Sequence, residues 1–150
     1  VAVRDHLNLA GDSPLVGLRD DGPRFVHVDG VYRNEFRLVA AAGARGLGWE
    51  LPEGVYARVA DPLPPTSAEG RWLKGLGVDM VGSRIVDQSI VAARLGLGVL
   101  ALVVLAGWAG SPRNQDAERE GLERGRLLLE RTLPMLAEHE LHEGDERHGS

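Results

Sequence analysis

Five histidines and 22 carboxylates are the side chains best able to move protons or hold a metal in this 150-residue chain, and cysteine is absent. Without cysteine there is no disulfide, no thiolate nucleophile and no sulfur ligand, so a reducing compartment, the cytoplasm, is the expected setting. The nearest approach to a metal-ligand set is His139 and His142 with Glu138, Glu143, Asp145 and His148. On a helix the two histidines would stand one turn apart. Their terminal, acidic setting points instead to a disordered, solvated tail over 139–150, and no metal is expected. His6 and His27 are candidate general bases, but single histidines are more commonly satisfied structural groups. Gly96-Leu97-Gly98 is not a dinucleotide fingerprint, because it precedes its apolar run instead of following a strand.

The elements that would position these groups alternate. Residues 1–9 alternate weakly and run into Asn8-Leu9-Ala10-Gly11, a strand entering a loop that continues to Pro23. A helix is expected around 33–44, ended by the glycines of 43–48. Residues 55–60 alternate and read as a strand. Residues 61–65 hold three prolines, which remove donors and lock φ, so no regular element fits there. Ser67 is expected to cap a helix through 70–76. A short strand at 78–82 and a short helix at 87–95 follow, then the apolar run 98–105. That run is too short to span a bilayer and reads as a buried strand. A long helix is expected over 116–138, kinked or ended early by Pro134. The alternation gives an α/β class with a mixed central sheet flanked by helices.

At 16.2 kDa the chain is the size of one domain and can bury a core. Its composition is globular, 43% hydrophobic and 26% charged, with net charge −5. Neither nucleic acid nor a membrane surface is an expected partner, since the net charge is acidic. The first nine residues lack the basic and apolar regions of a signal peptide, and none is expected.

Four stretches carry a family likeness. Asp5, His6, Asn8, Leu9 and Gly11 match a D-H-x-N-L-x-G segment; Arg24-Phe25, with Tyr32, matches R-F followed by a Tyr. Glu53-Gly54-Val55-Tyr56 precedes Pro62, Thr66, Ala68 and Glu69; then come Leu76-Gly77, Asp79, Val81 and Gly82. Together these closely resemble the central motifs of the trimeric purine nucleoside phosphorylases, a family that includes the methylthioadenosine phosphorylases. The resemblance covers nearly the whole chain but only the C-terminal half of a family member. It implies residues 1–150 are a single, partial domain: half of a phosphorylase/hydrolase-like fold, with a twisted sheet partly closed into a barrel. The opening Val in place of Met fits the cut end of a longer protein, or else an alternative start codon.

The resemblance implies phosphorolysis of a purine nucleoside to free base and ribose 1-phosphate, with phosphate as co-substrate and no other cofactor. It places Tyr56, Val81 and Gly82 against the substrate. It aligns Ser83 with a ribose-packing Met and Arg84 with a phosphate-binding Ser, and a guanidinium can grip phosphate bidentately. Tyr56 also reads as a strand aromatic with its hydroxyl satisfied. The family's purine-reading Glu and Asn fall on Pro65 and Gly107, and its ribose-contacting His falls near Glu118. Losing one hydrogen bond that strengthens in a transition state costs about 3–4 kcal/mol. The remaining phosphate ligands of the family belong to its N-terminal half. The expectation is therefore a purine-nucleoside-phosphorylase-like pentosyltransferase, impaired or inactive as this chain alone. Alternatives are a catalytically dead homologue serving as a partner subunit, or a truncated product. A homo-oligomer, by family a trimer, is expected, with a hetero-partner as the other option.

Overall fold

The computed structural model describes the backbone of residues 1–18, 22–23, 25–60 and 63–148, and side chains up to 138. Arg24 and Pro62 of the matched motifs, and the side chains of the 139–150 tail with its histidines, lie outside the described residues. The described residues hold three strands and four helices, alternating as far as α3: β1 (Ala2–Asn8), α1 (Asn34–Gly46), β2 (Glu53–Arg58), α2 (Ser67–Gly75), β3 (Met80–Gly82), α3 (Val86–Arg94) and α4 (Gln115–His148).

The strands pair in parallel in the order β1-β2-β3, with β2 central. Asn8 stands beside Arg58, and Arg58 beside Gly82, so these three residues mark the carboxyl edge of the sheet. Period-two alternation sends neighbours on β2 to opposite faces. Tyr56 joins Val3, Tyr32, Met80, Val86 and Ile90 in one core cluster, whereas Ala57 packs with Leu73 and Val78 in another. Helix α3 thus supplies one cover and α2 the other.

The sheet's mixed character shrinks to single bridges. Residues 98–105, expected as a buried strand, form no strand; they bridge antiparallel at Ala2–Leu102 and parallel at Tyr32–Val99. Backbone bonds show why. Val99 exchanges hydrogen bonds with Val31 and Arg33, while Ala101 and Val103 serve Val3 and Val1. The run changes partner halfway, and neither pairing lasts long enough to become a ladder.

Two helix expectations also change. The cap of α2 is Thr66, not Ser67: its hydroxyl accepts from Glu69 N at 3.3 Å, and the Glu69 carboxylate accepts from Thr66 N at 2.7 Å. Thr66-Ser67-Ala68-Glu69 is a capping box, a pattern that outranks an isolated Ser as the start signal. Helix α4 does not end near Pro134 but runs through it. The donor that Pro134 lacks would have served the carbonyl of Glu130, and both residues are exposed, where water can take over. The buried face of α4, Leu128 and Thr132, packs on α1 at Gly43. A Cβ at Gly43 would lie 2.9 Å from Thr132 Oγ1 and 3.5 Å from a Leu128 methyl, so the two helices meet where a side chain is missing. The rest of α4 carries ion pairs such as Arg124–Glu120 and Arg126–Glu123 on a solvated face.

Candidate functional site: a cleft beside β3

Three separate segments wall a cleft of about 520 Å3. The turn before α2 gives Leu63, Pro64 and Pro65; β3 and its exit give Val81, Gly82 and Ser83. The third wall is 103–109, including Gly107 and Trp108. The lining is mostly apolar, with Lys74, Asp79, Ser111 and Arg113 among its charged and polar members. A volume of this size suits a small organic ligand.

The third wall is fixed by hydrogen bonds. Asn114 N donates to Ala106 O at 2.6 Å and Gly110 N to Pro65 O at 2.9 Å. Gly110 adopts φ +76°, and a Cβ there would stand 2.0 Å from Ser67 Oγ; one at Gly70 would stand 2.3 Å from Ala109 Cβ. The loop is therefore seated directly on the first turn of α2. At Gly107 a Cβ would meet the Pro112 carbonyl oxygen at 3.2 Å, so any side chain there starts out pressed against the chain. Pro65 and Gly107 both line the cleft, and neither offers a side-chain acceptor.

Tyr56 lies behind this wall, not in it. The residue is 3% exposed, and its hydroxyl accepts from Arg84 N at 3.4 Å. A Cβ on Gly82 would fall 2.1 Å from that hydroxyl, so the absence of a side chain at 82 makes room for Tyr56. Burial pushes the Tyr56 hydroxyl above the usual tyrosine range, opposed by its bond from the Arg84 backbone. Ser83 joins the lining; the exposed Arg84 is not among the lining residues. The Glu118 carboxylate accepts from Nε and Nη2 of Arg113, which lowers its carboxyl.

A second polar group has no counterpart in the sequence reading. Arg58, 8% exposed at the carboxyl end of β2, pairs through Nη2 with Asp87 Oδ2 at 3.0 Å. Its Nη1 reaches Asn8 Oδ1 at 3.3 Å and the Asp12 carboxylate. The bond from Arg58 is the main reason the Asp12 carboxyl falls below its ordinary range. No spacing rule reveals this group, because Asp12 and Arg58 are 46 residues apart in the chain.

Among the histidines, His6 faces inward from β1. Its Nδ1 is 3.0 Å from Tyr32 Oη, and the two rings meet edge to face, 5.6 Å apart. Burial lowers its pKa, with Asp5 opposing. A base with a depressed folded pKa gives stability that is complete above its unfolded pKa of about 6.5 and drains away as pH falls towards the folded value. His6→Gln is expected to flatten the loss of stability between about pH 6.5 and 5. Urea melts at three pH values check this, and a slope identical to the parent would remove His6 from the account. Among the described residues no group of three metal-ligating side chains comes together, and no helix is long and apolar enough to cross a membrane.

The family profile described as the phosphorylase superfamily matches residues 1–134. Purine nucleoside phosphorylase 1 of Bacillus subtilis is 33% identical over 128 residues, covering 81% of this chain and 47% of the relative. The purine nucleoside phosphorylase of a Cellulomonas species is 34% identical over 139 residues, 92% of this chain and 46% of the relative. In three dimensions, Schistosoma purine nucleoside phosphorylase in complex with guanosine superposes with TM-score 0.76 at 25% identity, covering 85% of this chain and 51% of that one. The chain thus spans about half the length of the relatives it matches. With its parallel sheet, its flanking helices and a cleft at the matched motifs, the chain belongs to the phosphorylase superfamily, in its purine nucleoside phosphorylase branch.

Proposed function

We propose that the cleft beside β3 is the base and sugar end of a nucleoside site, in a protein of the type that splits a purine nucleoside with phosphate into free base and ribose 1-phosphate. The observation that carries this is convergence: Pro65, Val81, Gly82, Ser83 and Gly107, drawn from three segments, wall one cleft. Ser83 and Arg84, at the exit of β3, are the proposed phosphate-side positions, and phosphate is the co-substrate with no other cofactor. Tyr56 supports the sugar side from behind Gly82. Turnover by this chain alone is proposed to be impaired, because Pro65 and Gly107 place no acceptor or amide where a leaving purine gains charge. Pentosyl transfer in purine salvage, a cytoplasmic setting and a trimeric assembly belong to the same proposal, supported by the family and by exposed Phe25, Trp72 and Trp108.

The test adds the missing acceptor. Pro65→Glu is expected to tighten hypoxanthine binding at least tenfold in calorimetry, a gain of about 1.4 kcal/mol. Gly107→Asn alone should gain little, because its Cβ starts against the Pro112 carbonyl. The pair should exceed the sum of the two if both grip one base. Unchanged hypoxanthine affinity in Pro65→Glu would remove the cleft as a base site. Inosine phosphorolysis by the unmodified chain alone would show that Pro65 and Gly107 do not stand at the reader positions.

A further inference from the structure

We infer that the Arg58 guanidinium is an oxyanion receptor, occupied in this structure by the chain's own Asp12 carboxylate. In open α/β sheets, ligands collect at the carboxyl ends of parallel strands, and Arg58 ends the central strand. The Arg58 side chain is 10% exposed, covered although it lies close to the surface, and among the described residues its Nε is buried without a hydrogen-bond partner. A buried, unmatched donor on a cation is costly and draws in an acceptor.

Its two carboxylates are not equivalent. Asp87 sits in the first turn of α3 with its side chain 37% exposed. Asp12 lies in the loop after β1, and its side chain is 66% exposed. The Asn8 side chain, donating to Asp12 O at 2.8 Å, adds one further tether to that loop position. Carboxylate and phosphate present the same pair of oxygens to a guanidinium fork. An oxyanion from solution therefore competes with Asp12 and leaves the Asp87 pair in place. Displacing the Asp12 carboxylate removes one tether of the loop that follows β1 and leaves the Asn8 bond to the Asp12 carbonyl in place. This site is independent of the base reading of the cleft, since none of its four side chains lines that cleft.

The experiment follows the Arg58 side-chain N–H signals by NMR in the whole chain, assigned by their loss in Arg58→Lys. Inorganic phosphate is titrated against sodium chloride of equal ionic strength. A saturable shift with phosphate but not chloride is expected. Asp12→Ala, an exposed change that leaves the core untouched, should lower the phosphate midpoint at least fivefold. A methyl phosphate arm separates the sources: a lower midpoint than phosphate points to a phosphorylated ligand, a higher one to the free ion. Arg58 signals unmoved by phosphate, moved equally by chloride, or indifferent to Asp12→Ala would overturn the receptor. Hypoxanthine titration of the same samples reports on the cleft separately, so the two readings fail independently.

Discussion

Gly82→Val should destabilise the fold by about 3 kcal/mol, the upper end of what overpacking a well-filled site costs. Its Cβ would be driven to 2.1 Å from the Tyr56 hydroxyl and 3.0 Å from the ring carbon that bears it. Tyr56 is 3% exposed and shares its core cluster with Val3, Tyr32, Met80 and Val86, so retreat would disturb that packing. Yielding would also break the bond from Arg84 N, worth about 1 kcal/mol. Tyr56→Phe removes the nearer atom and leaves the farther, so Gly82→Val should cost roughly half as much in that background. Urea denaturation of the four proteins measures the coupling. Purely additive losses would mean that the introduced valine collides with something other than the hydroxyl.

Leu128→Ala should cost about 3 kcal/mol, within the usual range for deleting a buried leucine side chain. The expected signature is loss of cooperativity as well as stability. Leu128, 2% exposed, and Thr132 are the residues of α4 buried in the described structure, and both sit against α1. With Leu128 truncated, the 34-residue helix keeps Thr132, the close approach of Gly121 to Val104 and that of Arg131 to Gly46 as its tertiary anchors. Far-ultraviolet circular dichroism should then show α4 melting ahead of the near-ultraviolet signal of the core tyrosines Tyr32 and Tyr56. Coincident melts by the two probes would mean that α4 is held by more than its α1 seam.

The sequence discloses elements wherever one local rule decides them. The alternation at 55–60 and the charge-and-leucine pattern after 116 are of this kind, and β2 and α4 lie there. It fails where the deciding partner is distant. Residues 98–105 are apolar enough for a strand, but they divide their hydrogen bonds between the Val31 segment and β1, which no local pattern reveals. The cleft is legible differently: motif matching singles out Pro65, Val81, Gly82, Ser83 and Gly107, and the fold brings them to one cavity. Tyr56 shares the motif yet packs behind the wall, because alternation gives the face of a strand and not its depth. Arg58 is invisible in the sequence, since nothing local says that Asp12 and Asp87 will meet it.

The seat of residues 106–111 on α2 bears on how this cleft can be redesigned in a mutant library. Pro65 and Gly107 can be changed without lifting that seat, Gly107 within the room left by the Pro112 carbonyl. Gly70 and Gly110 cannot, because each lies within 2.3 Å of a neighbour across the seat once a Cβ is added. Enlarging either position would lift the whole wall and change the cavity's width without changing its lining. Selection for a new ligand should therefore return substitutions at 70 and 109 as a matched pair, and none at 110, where φ +76° strains any side chain whatever stands at 67.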